Sequence, residues 1–324
     1  MTGRKGDRMS ARITNYRPDM DDRLADLLNA GWAHLRALPL LHPRDAKWPI
    51  SDDESLAQWR EQGRLSEAGT FVAEGADGSL AAVASAGAGN GDQGRLHFFC
   101  MRPGDASGDC AARTLAAAEN YLRACGMSCA VTEPIDSRAR QLGEFFLSQS
   151  YYDADPEGQS MTMVLLPEGH QVREVALPDP SYRMLTWRDE YLDEWLRIRN
   201  AVFGGAISRE GFAQAFRSSG SFDPAGWFFV QHGKKFVGIT SALVAHEADG
   251  KVRGGYLTAV AVLDECRGNG LGRALVVAGL NYLIERDIEH IALNTEPFRK
   301  AAVALYENLG FRFACLNIRY TKQL

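Results

Sequence analysis

Apolar positions along the chain recur with two periods, one helical and one alternating, and the two follow each other in a repeated order. Leucine- and tryptophan-rich segments at Arg23 to Leu38 and Asp53 to Gln62 keep the helical period. Thr70-Phe71-Val72-Ala73-Glu74 and Leu80 to Ser85 alternate as strands, and Asp77-Gly78 between them marks a hairpin turn. A strand at Leu96–Met101, a loop at Arg102–Ala111, a helix at Ala112–Arg123 and a strand at Met127–Thr132 complete the set.

The second half runs through the same elements. A helix is predicted over Trp187–Phe203. A hairpin follows, from Trp227–Val230 through a turn at Gly233 to Phe236–Val244. Then come a strand at Tyr256–Leu263, a loop at Asp264–Gly272, a helix at Gly272–Glu285 carrying one apolar stripe at Leu271, Leu275, Ala278 and Tyr282, and a strand at His290–Asn294. The last strand of each set runs into the same tripeptide, Thr132-Glu133-Pro134 and Thr295-Glu296-Pro297, so Pro134 and Pro297 stand 163 residues apart. The shared order at a shared offset reads as a duplication. Pro167, Pro178 and Pro180 fall in a stretch without period, because proline breaks helices and cannot join a central strand. The expected organisation is a tail at residues 1–11, one domain at 12–166, a linker at 167–181 and a second domain at 182–324.

Composition narrows the function class. The 324 residues are 45% hydrophobic and 24% charged, as expected of a globular α/β chain. A net charge of -5 disfavours nucleic acid as a partner, which calls for a basic face. No apolar run approaches the ~20 residues that span a bilayer, and no apolar segment follows the basic start as a secretory signal requires. Six scattered cysteines, with Cys125 and Cys129 lacking further ligands nearby, read as reduced thiols in a cytoplasmic protein rather than as a metal site.

The segment Val260 to Leu275 carries the most specific chemistry. A β-branched strand runs into Gly268, Gly270 and Gly272 and then into a helix. Glycines permit positive φ and close backbone approach, and free amides at a helix start favour an anion such as pyrophosphate. A P-loop is excluded because no Gly-Lys-Ser/Thr occurs. A dinucleotide fingerprint fails because its third glycine falls on Arg273. What remains is R-x-x-G-x-G at Arg267, Gly270 and Gly272. Downstream, Ala302, Tyr306, Gly310 and Phe311 form A-x-x-x-Y-x-x-x-G-F.

Loop and helix in this order resemble the GNAT (GCN5-related) N-acetyltransferases, closely over about the last 140 residues and in outline over the first half. The resemblance implies two tandem GNAT-like domains of α/β (α+β) class, each a mixed, mostly antiparallel sheet flanked by helices. It implies acetyl-CoA as co-substrate, no metal, and direct transfer of an acetyl group to a small-molecule primary amine. Val260, Ala261 and Val262 would pair with the pantetheine arm, and Arg267, Gly268, Asn269, Gly270, Leu271, Gly272 and Arg273 would wrap the pyrophosphate. Tyr306 stands where the family has its general acid. Among tandem members the chain looks most like the mycothiol synthases, to which Phe222-Asp223-Pro224-Ala225-Gly226, Asn200 to Phe203 and Tyr320 also correspond. It departs from them at Tyr256, where they carry an acidic residue, at Asn294, where they carry tyrosine, and at Arg299, where they carry asparagine. Asn294 and Tyr256 are therefore the expected acceptor contacts, and Arg299 is expected beside the cofactor's arm. Glu296 and Tyr256 are the candidate bases, Glu296 through a water, and Glu133 in the matching tripeptide weakens the case for Glu296, since a structural role would explain both copies. His290 reads better as a surface or capping histidine.

The first half has Ser107, Cys110 and Ala112 where the loop has Arg267, Gly270 and Gly272, and Phe146 where the helix has Tyr306. An acidic turn, Pro103-Gly104-Asp105 and Ser107-Gly108-Asp109, occupies the phosphate position. That half is expected to shape the substrate cleft without holding CoA. A peptide N-acetyltransferase and a CoA-binding sensor are the competing functions, and the sequence leaves monomer and homodimer open.

Overall fold

A computed structural model of the chain describes residues 11–36, 51–102, 109–168, 171–217, 222–246, 252–286 and 288–324. Residues 1–10 of the expected tail at 1–11, and 103–108 of the acidic turn at 103–109, lie outside these residues. Of those described, 11–36, 51–159 and 315–324 form one compact unit and 160–314 the other. Each unit is mixed α/β, as its periods predict.

The first unit is a seven-stranded sheet. Its strands lie in the order Arg12–Asn15, Thr70–Glu74, Leu80–Ala88, Gln93–Met101, Cys129–Thr132, Tyr320–Gln323 and Tyr152–Asp153. The expected hairpin forms at Asp77-Gly78, with Gly78 at φ 78° and the Asp77 carboxylate accepting the Ser79 amide. Helix Asp53–Glu61 starts on a capping box in which Asp52 and Ser55 satisfy each other's amides. Helices Asp21–Arg36 and Asp109–Ala124 flank the sheet. Trp32, Trp59 and Phe98 fill the core, with the Trp59 and Phe98 rings 4.9 Å apart.

Two strands depart from a division at the proline-rich linker. Ser160–Leu165, ahead of the linker, pairs antiparallel with His290–Thr295 in the second unit. Tyr320–Gln323, at the end of the second half, pairs with Cys129–Thr132 in the first. Tyr320 stacks on Phe146 at 6.1 Å, and a Cβ on Gly143 would stand 2.7 Å from the Tyr320 hydroxyl. Lys322 Nζ lies 2.9 Å from both oxygens of the buried Glu119. A chain ending at Arg319 leaves that carboxylate without its lysine, and breaking a buried pair costs about 3 kcal/mol or more. The first unit is then expected to melt about 10 °C lower, which calorimetry of the truncated chain checks.

In the second unit, Ser160–Leu165, His290–Thr295, Val252–Val262, Lys235–His246, Trp227–His232 and Tyr182–Thr186 lie side by side in that order. The helix expected from Trp187 begins instead at Leu192, after a single 3-10 turn at Asp189–Tyr191. Trp187 is held outside the helix because its indole N–H donates to Asp189 at 2.9 Å and its ring stacks on Phe212 at 5.3 Å. Helix Leu271–Ile284 buries more than one stripe: Ala274 through Leu280 are all buried, since its central turn is apolar all round. The Phe222 to Gly226 segment is a packing element. Asp223 accepts from the Tyr282 hydroxyl at 2.7 Å, and a Cβ on Gly226 would stand 2.5 Å from the Ala242 carbonyl oxygen.

Candidate active site

The site begins where two parallel strands part. Val252–Val262 pairs with Lys235–His246 through Val262, but with His290–Thr295 only from Gly254 to Leu257. The register on the Lys235–His246 side shifts between Ile239 and Ser241, opposite Ala259, whose φ of 53° is unusual for a residue with a Cβ. A bulge bends and twists its strand, and the twist carries Thr258 to Val262 off its neighbour. The stretch from Thr258 to Ala261 keeps one backbone edge unpaired among the described residues, a template for an extended ligand. The Val262 carbonyl is taken by Arg267 Nε at 3.1 Å.

Past Val262 the chain makes a 3-10 turn at Asp264–Cys266 and enters the glycine loop. Gly268 and Gly270 both have φ 81°, and a Cβ on either would meet open space, so backbone conformation rather than crowding demands glycine. Gly270 is the N-cap of the 14-residue helix Leu271–Ile284 and supplies no side-chain acceptor. The leading amides of that helix have no side-chain cap and stand at the positive end of its dipole. The Arg267 guanidinium is held 2.7 Å from Asp264, and Arg273 is exposed with no ion pair among the described residues.

Two cavities open on this framework. One, of about 720 Å³, is lined by Val260, Val262, Arg267, Gly268, Gly270 to Arg273, and Phe298 to Ala302 with Leu305 and Tyr306. The other, of about 490 Å³, is lined by Trp195, Arg199, Phe203, Tyr256, Thr258, Ala259, Asn294 and Glu296 among others. Val260, Arg299, Ala302 and Tyr306 line both. Asn269 and Ala261 are not on the first cavity's wall; Ala261 faces the core at 1% exposure, leaving only its backbone to contribute.

Tyr306 stands on helix Lys300–Asn308, 6% exposed, edge-on to Phe311. Burial, opposed by Arg299 and reinforced by Glu296, pushes its hydroxyl up to about 12. The hydroxyl makes no hydrogen bond among the described residues. Glu296 Oε2 lies 2.5 Å from Arg299 Nε, off the hydrogen-bonding direction, in a half-buried ion pair. Arg299 borders both cavities rather than the cofactor side alone, and its guanidinium lies 5.7 Å from the ring centres of both Phe203 and Phe298. Asn294 Oδ1 accepts from the Thr162 hydroxyl at 2.8 Å, across the pairing of Ser160–Leu165 with His290–Thr295. Tyr256, 8% exposed, lines the second cavity, whereas His290 lines neither.

Sequence reasoning missed Thr162, Arg199 and Lys300. Lys300 was legible as a basic residue opening the motif helix. Thr162 and Arg199 carry no local signal. In the first unit Phe146 is 1% exposed with no hydroxyl to offer, and Cys110 lies in the first turn of helix Asp109–Ala124.

Residues 185–311 match the model of the acetyltransferase (GNAT) family. A mycothiol acetyltransferase from Thermobispora bispora is 39% identical over 165 residues, 48% of this chain and 51% of the relative. One from Pseudarthrobacter chlorophenolicus is 31% identical over 166 residues, 48% and 46% of the two chains. The chain thus spans about half the length of the curated relatives it matches. Solved structures cover the whole fold. A tandem GNAT protein from the clavulanic acid biosynthesis pathway superposes with a TM-score of 0.69 at 15% identity, over 96% of this chain and 98% of that one. A GCN5-related N-acetyltransferase from Sphaerobacter thermophilus gives 0.65 at 17% identity, over 96% and 95%. The fold is that of a tandem GNAT protein.

Proposed function

We propose that this chain is an acetyl-CoA-dependent N-acetyltransferase whose second unit holds the donor and passes its acetyl group to the primary amine of a small molecule. One observation supports this above the others: a donor-sized cavity and a small-molecule cavity meet at Val260 and Tyr306. The residues present fit the donor. The free edge from Thr258 to Ala261 suits an extended amide-bearing arm, and the uncapped amides after Gly270, with Arg267, Arg273 and Lys300, suit a diphosphate. When bound, acetyl-CoA supplies an activated thioester.

The protein's own part is positioning and proton control. A backbone N–H on the free edge beside Val260 polarises the carbonyl oxygen, a fixed donor that needs no rearrangement as charge develops. The amine's nitrogen enters from the second cavity and forms the new C–N bond as the C–S bond breaks. Tyr306 holds the proton that the departing sulfur takes up. Its affinity of about 12 exceeds a free thiolate's ~8.5, so donation begins as a hydrogen bond and completes as the buried sulfur's charge builds. Glu296, tied to Arg299, is available to the amine's proton only by loosening that pair.

Incubation with acetyl-CoA and a panel of amines should release CoA in an acceptor-dependent way; release no faster than background with every amine would refute the transfer reading. Native mass spectrometry should show one CoA per chain, because Phe146 and Cys110 replace the acid and the glycine in the first unit. Two per chain would overturn that assignment.

A further inference from the structure

We infer that the acceptor is an amine that also carries a carboxylate, anchored by Arg199 in the second cavity. The inference rests on the transfer reading above and deepens it. Arg199 lies just before the last turn of helix Leu192–Phe203, half-buried on the cavity wall. Its polar contacts are long: Nη1 is 3.3 Å from Asn200 Oδ1 and 3.4 Å from the Gly204 carbonyl oxygen. No carboxylate among the described residues forms an ion pair with it. The other arginine on this cavity's wall shows the contrast, since Arg299 is paired with Glu296.

Burial holds the Arg199 guanidinium below its usual range, and no charged neighbour among the described residues offsets that loss. Among the described residues the charged groups on the cavity wall are Arg199, Arg299 and Glu296, and the last two neutralise each other. One positive charge is left over, on a planar fork that suits a carboxylate. Arg199 and Arg299 flank one ring, at 6.0 and 5.7 Å from the centre of Phe203. Phe203 and Trp195 supply an apolar wall for the spacer between carboxylate and amine. A diamine would bring its second cation against Arg199.

The test compares 5-aminopentanoate, pentylamine, cadaverine and 3-aminopropyl phosphate as acceptors. The full chain should turn over 5-aminopentanoate with a kcat/KM about 10- to 100-fold above pentylamine's, a step set by one charged hydrogen-bonded contact. Arg199→Gln should bring that ratio close to one, chiefly through KM. Arg199→Lys should restore part of it, and Arg199→Glu should move the preference to cadaverine. CoA affinity checks that each variant is folded. Preference for pentylamine, cadaverine or the phosphate in the unsubstituted chain, or a ratio untouched by Arg199→Gln, overturns the assignment. If no amine is acetylated the transfer reading fails separately, and calorimetric titration of 5-aminopentanoate into the CoA-saturated chain decides. Binding lost in Arg199→Gln upholds the anchor, and binding absent or unchanged overturns it.

Discussion

Replacing Tyr306 by phenylalanine is expected to lower kcat by about 100-fold or more while acetyl-CoA still binds. The ring packs edge-on to Phe311 and the hydroxyl has no partner among the described residues, so the variant keeps its packing and loses only the proton. A CoA-binding sensor would show no release to lose, which separates the two readings. Because the phenol's proton affinity is raised to about 12, the acid stays loaded across ordinary buffers. kcat/KM should climb as the acceptor amine deprotonates and show no fall from the acid up to pH ~10. The same shift acts on stability. The neutral phenol is favoured in the folded state, so its contribution is full below pH ~10 and is lost as pH rises through 12. Steady-state kinetics over pH 6 to 10, with and without the substitution, check both.

Replacing Gly270 by valine should raise the KM for acetyl-CoA by about 100-fold or more, with kcat at saturation changed far less. The backbone there sits at φ 81° and ψ -5°, in the left-handed region, which costs a residue bearing a Cβ about 1–2 kcal/mol and a β-branched one more. With open space around the position, the chain can relieve that strain by rotating the loop. Rotation turns the uncapped amides away from the diphosphate. Asparagine, which tolerates this conformation better, should lose roughly a tenth as much affinity. Direct CoA titration of both variants checks this; equal affinity in all three proteins would mean that these amides do not hold the donor.

Legibility differed sharply among elements. The hairpin at Asp77-Gly78 and the glycine loop were readable because turns that need positive φ advertise themselves through glycine. The two halves could be aligned through their repeated order. Strands Arg12–Asn15 and Tyr182–Thr186 and helix Arg209–Ala215 were missed, being short segments whose few apolar positions fit either period. The strand Ser160–Leu165 is apolar enough to recognise as buried, yet nothing in it says that its partner is His290–Thr295, over 120 residues away. Glu296 carries the same uncertainty: a Thr-Glu-Pro tripeptide does not reveal that its carboxylate is tied to Arg299.

The chain's linear order determined the chemistry that is local: where φ must be positive, where helix amides go uncapped, and which helix presents a tyrosine in place of the first half's Phe146. Tertiary structure decided what depends on distant neighbours. It set how far Tyr306 is buried, which strand steadies Asn294, and that Arg199 faces a cavity whose carboxylate among the described residues, Glu296, is tied to Arg299. Backbone preference belongs to a residue and its immediate neighbours, whereas burial, strand partnership and charge balance belong to surfaces assembled from segments far apart in the chain.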